Sequence, residues 1–202
     1  MCRRRFKTLN PLKAMWIFIV PLFVTLVFVT TVIQKNVENI VVSETEAAKF
    51  NSIKQRADKG DANAEWQLGV AYQEGDGVKK DLVQAVKLFK SSAEKNNNEG
   101  AYRYGLALLK GLGVLQNYKE AINWLEKSAN AGNKDAQYDL GNIYRYQNGV
   151  KVDMKRAYMW FSLAAAQGLL KAEASRNAVE QYLQPDDIAV IQEQTAAIIY
   201  PK

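Results

Sequence analysis

The residue types that most often carry enzyme chemistry are scarce in this chain. Its 202 residues include no histidine and one cysteine, Cys2. A Ser-His-Asp triad, a Cys-His pair, a histidine-based zinc site and an internal disulfide are therefore all excluded. Carboxylates and glycine turns remain. Asp186 and Asp187 stand side by side after Gln184-Pro185, where they open a helix and meet the positive end of its dipole. Glycosidase chemistry needs two carboxyl groups facing each other across a cleft, and no spacing here argues for that. The runs Gly75-Asp76-Gly77-Val78 and Gly111-Leu112-Gly113-Val114 could be mistaken for phosphate loops. Such a loop follows a strand and opens a helix, whereas these join two helices. The expectation is no catalytic residue, no cofactor, no metal, and a protein that is not an enzyme.

Charge points to the same conclusion about partners. Lys plus Arg is 27 and Asp plus Glu 21, a formal +6. Residues 1–13 hold Arg3, Arg4, Arg5, Lys7 and Lys13 and no acid, and 14–33 carry no charge, which leaves 22 basic against 21 acidic residues, or +1, for the rest. A nearly neutral body lacks the clustered basic charge of a nucleic-acid footprint, so no nucleic acid is expected.

Ala14 to Ile33 reads AMWIFIVPLFVTLVFVTTVI, and a helix of that length spans about 30 Å of hydrocarbon. Pro21 is tolerable in a membrane helix, and Trp16 suits the headgroup boundary. Basic residues precede the run, while only Lys35 closely follows it, which places Met1 in the cytoplasm. A cleaved signal peptide is the competing reading. Against it, the run exceeds the usual core of roughly 7–15 residues and no A-x-A-like site follows it. The expected order is a basic cytoplasmic tail (1–13), a transmembrane signal-anchor helix (14–33), a tether (34–42) and an outward-facing body, which in bacteria means a single-pass inner membrane protein with a periplasmic domain.

The elements of that body follow from a period of 36 residues. Gly69, Gly105 and Gly141 keep that spacing, as do Gly77, Gly113 and Gly149, Ala85, Ala121 and Ala157, and Ala93, Ala129 and Ala165. Such a period is the signature of stacked units. In the first unit Ala64, Leu68, Ala71 and Tyr72 recur at helical spacing, a glycine turn intervenes, and Val86, Phe89 and Ala93 resume the helical pattern. Asp81, Asn117 and Asp153 stand in one phase as caps of the second helix, and Gly132 and Gly168 stand where a C′ glycine belongs. Short charged stretches such as Lys79-Lys80 and Glu94-Lys95 read as solvated faces.

The pattern A-x3-L-G-x2-Y-x2-G-x-G-V-x2-D-x3-A-x2-W-x4-A-x2-G, read across Ala64 to Gly168, resembles the Sel1-like repeat, a relative of the tetratricopeptide repeat. Gln147 departs from it at the first glycine of the third turn. The resemblance implies an all-α fold, an α-solenoid of helix-turn-helix units at 61–96, 97–132 and 133–168. A capping helix at 43–60 precedes them, opened by Ser43-Glu44-Thr45-Glu46. Capping helices at 169–202 close the array, since a solenoid's terminal faces must be covered. It further implies a protein partner held on a concave face lined by the first helix of each unit: Trp66, Val70, Gln73 and Glu74, then Tyr102, Leu106, Leu109 and Lys110, then Tyr138, Asn142, Arg145 and Tyr146. The aromatic column Trp66, Tyr102, Tyr138 serves either as an anchor for a partner or as packing between neighbouring helices. By resemblance the function is that of an envelope adaptor or scaffold. The alternative is a periplasmic immunity protein that inhibits a secreted phospholipase-type toxin.

Overall fold

The computed structural model describes residues 34–35, 45–146 and 150–200, and the only regular structure among them is α-helix. The expected anchor at 14–33, Ser43-Glu44 of the expected capping box, and Gln147 lie outside the described residues. Among the described residues no helix is long and apolar enough to cross a membrane. The chain divides between Ala48 and Lys49, and the repeats all lie in the second unit.

The helices are α1 (residues 45–58), α2 (Ala62–Glu74), α3 (Leu82–Glu94), α4 (Asn98–Lys110), α5 (Tyr118–Asn130), α6 (Lys134–Tyr146), α7 (Met154–Ala166), α8 (Leu170–Glu180) and α9 (Pro185–Ile199). Their starts are set by side-chain caps. Asp81, Asn117 and Asp153 accept the amides of Gln84, Glu120 and Arg156 at 2.9, 3.1 and 3.0 Å. Each satisfies one of the orphan donors of the first turn. The same three residues donate their own amides back to the preceding helix, to the carbonyls of Tyr72, Leu108 and Tyr144 at 2.8, 3.0 and 2.9 Å. Every first-to-second-helix junction is thus locked in one register.

The other junction, from each second helix to the next first helix, uses a left-handed residue. Gly60, Gly132 and Gly168 have φ of 87°, 91° and 80°, and Asn96, in the same phase, has φ of 61°. A Cβ costs roughly 1–2 kcal/mol in that conformation, and asparagine tolerates it better than other side chains. A Cβ on Gly132 would meet nothing within 4 Å. Gly132→Ala is therefore expected to cost about 1–2 kcal/mol through the backbone alone, and Asn96→Gly to gain about 0.5–1 kcal/mol. Denaturant midpoints at unchanged m-value check both. A neutral Gly132→Ala would remove the conformational argument.

Within each unit the two helices meet at a glycine. A Cβ on Gly141 would lie 2.5 Å from the Phe161 ring, so that fully buried ring fills the space glycine leaves. Gly69 faces Phe89 and Gly105 faces Leu125 in the same way. Ser92 and Ser128, both fully buried, donate to the carbonyls of Ala62 and Asn98 at 2.7 and 2.8 Å. That satisfies hydroxyls that would otherwise be costly to bury.

Successive helices pack in chain order from α2 to α8, and α9 packs on α7. Phe50 and Ile53 of α1 cover Ala64 and Leu68, and Val179 and Ile191 of the closing helices join the core of the third unit. The closing helix α8 ends at Glu180 rather than Leu183, because Tyr182 and Leu183 donate three residues back, to Val179 and Glu180. One exposed side chain is also tied to a neighbouring helix. Lys95 donates to Glu65 Oε1 at 2.7 Å and to the Gly60 carbonyl at 3.0 Å, because the end of α3 passes beside the start of α2.

Candidate partner-binding face

First helices line the inside of the array. α2 packs directly on α4 as well as on its own partner α3, and α4 is joined to α6 by the Tyr102–Asp139 and Asn133–Glu99 hydrogen bonds, whereas no comparable packing joins α3 to α5 or α5 to α7. A stack whose first helices approach while its second helices spread curves toward the first helices, and its inner face is theirs.

On that face the aromatic column makes contacts between successive first helices. Trp66 is half-buried, with the Arg103 guanidinium of α4 5.9 Å from its ring centroid. Tyr102 donates its hydroxyl to Asp139 Oδ2 of α6 at 3.0 Å. Tyr138 packs on Phe161 with centroids 5.6 Å apart and lies 4.3 Å beneath Lys171 Nζ of α8. Each ring therefore meets a charged group of the helix two places further on, α4, α6 or α8. Burial pushes the Tyr102 phenol up, and the Asp139 carboxylate adds to it. Burial likewise raises Asp139, while the Tyr102 hydroxyl, Lys171 and Lys110 pull it back.

The partners Arg103, Asp139 and Lys171 were not among the residues expected to matter. Arg103 and Asp139 share one column of the repeat, with Gln67 at its head, one residue after the aromatic column. A second rung runs beside it. Asn97 donates to Asn63 at 2.7 Å, and Asn133 donates to Glu99 at 3.2 Å.

Beyond the aromatic column lie the side chains less committed to packing. Val70 and Leu106 are half-buried on the flank of the core, and Leu109 touches the core of both units. Gln73 donates to Glu74 at 2.7 Å. Asn142 donates to the Tyr138 carbonyl at 3.2 Å. The Arg145 guanidinium lies 4.8 Å from the centroid of Tyr146, which is exposed. Gln73, Arg103, Leu106 and Lys110 rim a cleft of about 70 Å³ floored by Val86 and Phe89. It is large enough for one small side chain.

A stack of helix pairs with a repeating junction and an inner face of first helices is an α-solenoid, a fold that binds by presenting an extended surface. The Sel1 repeat family model matches residues 62–97, 98–133 and 134–169, and the chain belongs to the Sel1 repeat family. Those units start one residue after the sequence boundaries, because Asp61, Asn97 and Asn133 are caps that precede the first helical residue. Among solved structures, one similar chain is a protective antigen present in uropathogenic Escherichia coli strains displaying an SLR fold. It is 41% identical with a TM-score of 0.57, and the match covers 59% of this chain and 26% of that one. Another is a Sel1 repeat protein from Oxalobacter formigenes, 28% identical with a TM-score of 0.63, covering 74% of this chain and 62% of that one. The chain thus spans about a quarter of the first relative and less than two thirds of the second. No curated protein matches the chain. Sel1 repeats are protein–protein interaction modules.

Proposed function

We propose that the chain is a membrane-anchored adaptor, without catalytic activity of its own, whose inner solenoid face holds another protein on the outer side of the membrane. The anchor rests on the apolar run 14–33 and its basic flank. The observation that carries the binding face is the cleft rimmed by Gln73, Leu106 and Lys110, beside Leu109 and the Arg145–Tyr146 pair. It offers an apolar notch bordered by charge on rigid helices, so little ordering cost accompanies binding. Val70 and Asn142 extend the face to either side. Trp66, Tyr102 and Tyr138 hold it in shape.

Capture of partners with the full chain as bait, solubilised from membranes, tests the reading. A variant carrying Leu106→Gln and Arg145→Glu changes the face without touching the contacts of Trp66, Tyr102 and Tyr138. With helical content unchanged by circular dichroism, it is expected to weaken a captured partner by about 30-fold or more, the scale of a lost hot spot. A partner held equally by the variant would reject the inner face. A lipase as the captured partner would turn the adaptor into an inhibitor.

A further inference from the structure

The solvent side of α7 differs from that of α3 and α5. Met159, Leu163 and Ala166 occupy the repeat positions where the first two units carry Lys87 and Asn123, Ser91 and Lys127, and Glu94 and Asn130. All of those polar residues except Ser91 are exposed. α9 covers part of the apolar surface so formed. It packs on α7, buries Ile191 and Thr195, and is tied at its start by the ion pair of Asp187 with Lys155 at 2.7 Å. Its last turn leaves a gap. Ile198 and Ile199 are 59% and 37% exposed there, and with Met159, Trp160, Leu163 and Ala166 of α7 and the end of α5 they wall a cleft of about 580 Å³.

The stretches that meet at this cleft are 128–133, 157–170 and 194–200, and none of them contains a charged residue, in a chain that is 24% charged. The polar groups at its edge are already paired. Gln167 donates to Gln137 at 2.8 Å, and Gln137 donates to the Ala129 carbonyl at 3.0 Å. Shape and apolarity must therefore select what fills the cleft. Tyr200, 77% exposed, directly follows the Ile199 wall and protrudes beside the opening, so hollow and protrusions belong to one patch. A two-fold contact requires that combination, because the same patch serves on both sides and each protrusion must find a hollow in the other copy. A patch without charge also meets its own copy with no like-charge repulsion, the cost that a charged patch pairing with itself would carry.

We propose that two copies of the chain pair across a two-fold axis at this patch, the Tyr200 side chain of each entering the α7 cleft of the other with Ile198 and Ile199 packed between. An aromatic ring seated in a dry apolar hollow is the usual anchor of such a contact. The pairing removes from water the apolar side of α7 that α9 leaves uncovered. It uses second helices and α9, so the inner face of the first helices stays open in each copy. The pair then presents two inner faces, and a partner with two copies of its own recognition segment gains from both.

Sedimentation of the full chain in mild detergent, across a dilution series, is expected to show a monomer–dimer equilibrium. Ile198→Glu changes an exposed position, so helical content should hold. A two-fold contact carries each substitution twice, and a loss of about 30-fold per site becomes roughly 1000-fold in the dimer dissociation constant. Leu115→Glu, at a residue 89% exposed outside the patch, should leave the equilibrium unchanged. Cross-linking then reads the geometry. In a Cys2→Ser background, a chain carrying Tyr200→Cys is mixed with a differently tagged chain carrying Ala166→Cys, and oxidation is expected to join the two tags severalfold better than when Leu115→Cys replaces Tyr200→Cys. Self-association through any other segment would survive Ile198→Glu and give no such preference. A monomer at every concentration, a dimer indifferent to Ile198→Glu, or equal cross-linking from residues 115 and 200 would overturn the proposal. So would a monomer found by native mass spectrometry to hold a lipid or detergent chain that Ile198→Glu releases.

Discussion

Phe161→Ala is expected to destabilise the folded body by about 3–5 kcal/mol, the range for emptying a buried aromatic site. The ring is fully buried, fills the space over Gly141 and supports Tyr138 at a centroid distance of 5.6 Å. Three consequences therefore coincide: lost transfer energy, a cavity, and a loosened inner face. The partner glycine makes the argument specific. Gly141→Ala places a methyl group 2.5 Å from a ring that has nowhere to move, and overpacking of this kind costs about 1–3 kcal/mol. Combining Gly141→Ala with Phe161→Leu should cost less than the sum of the single changes, since the smaller side chain makes room for the methyl. Urea denaturation of the four proteins gives the coupling directly. Additive losses would mean that the two residues do not share one packing site.

The second large effect concerns Glu65. Its carboxylate is buried, and Oε1 accepts Lys95 Nζ at 2.7 Å and Ser91 Oγ at 2.9 Å. Oε2 is the one buried side-chain polar atom among the described residues with no hydrogen-bond partner. Removing the ammonium strands a charge that already lacks half its hydrogen bonds. Lys95→Gln is expected to cost about 1–3 kcal/mol, less than the roughly 3–5 kcal/mol for breaking a fully buried pair, because Lys95 is 40% exposed. Adding Glu65→Gln should recover most of that loss. The third unit shows the geometry, where Gln167 donates to Gln137 Oε1 at 2.8 Å and Gln137 donates to the Ala129 carbonyl at 3.0 Å. Failure of the second change to rescue the first would show that Lys95 acts by packing its methylenes, not by its charge.

The architecture was legible because it repeats. A glycine at 69, 105 and 141, or a cap at 81, 117 and 153, is specified three times over, and each copy confirms the others. The candidate face was legible only as a set of columns. Position alone could not say that Tyr102 would spend its hydroxyl on Asp139 or that Tyr138 would lie beneath Lys171. Those contacts depend on which residue the next unit happens to offer. The same holds for Glu65 and Lys95, thirty residues apart in sequence. One signal was present and overlooked: position 65 and its repeats read Glu, Ala, Gln while position 95 and its repeats read Lys, Ala, Gln. Two columns that change character together are in contact. Glu94 and Lys95 are both exposed, as expected, but they take different partners, Glu94 pairing with Lys90 at 3.8 Å and Lys95 with Glu65 at 2.7 Å.

The contacts of the aromatic column also bear on how such a gene can change by recombination. The junction hydrogen bonds of Asp81, Asn117 and Asp153 and the glycines at 69, 105 and 141 recur in every unit, so an in-frame loss of 36 codons would leave each helix with a neighbour of suitable shape. The ring–charge contacts are not interchangeable. Without the second unit, Trp66 would meet Asp139 in place of Arg103, and an indole face that attracts a cation would be set against a carboxylate. The units are alike enough to have arisen by duplication, yet each now carries an address that only its present neighbour can read.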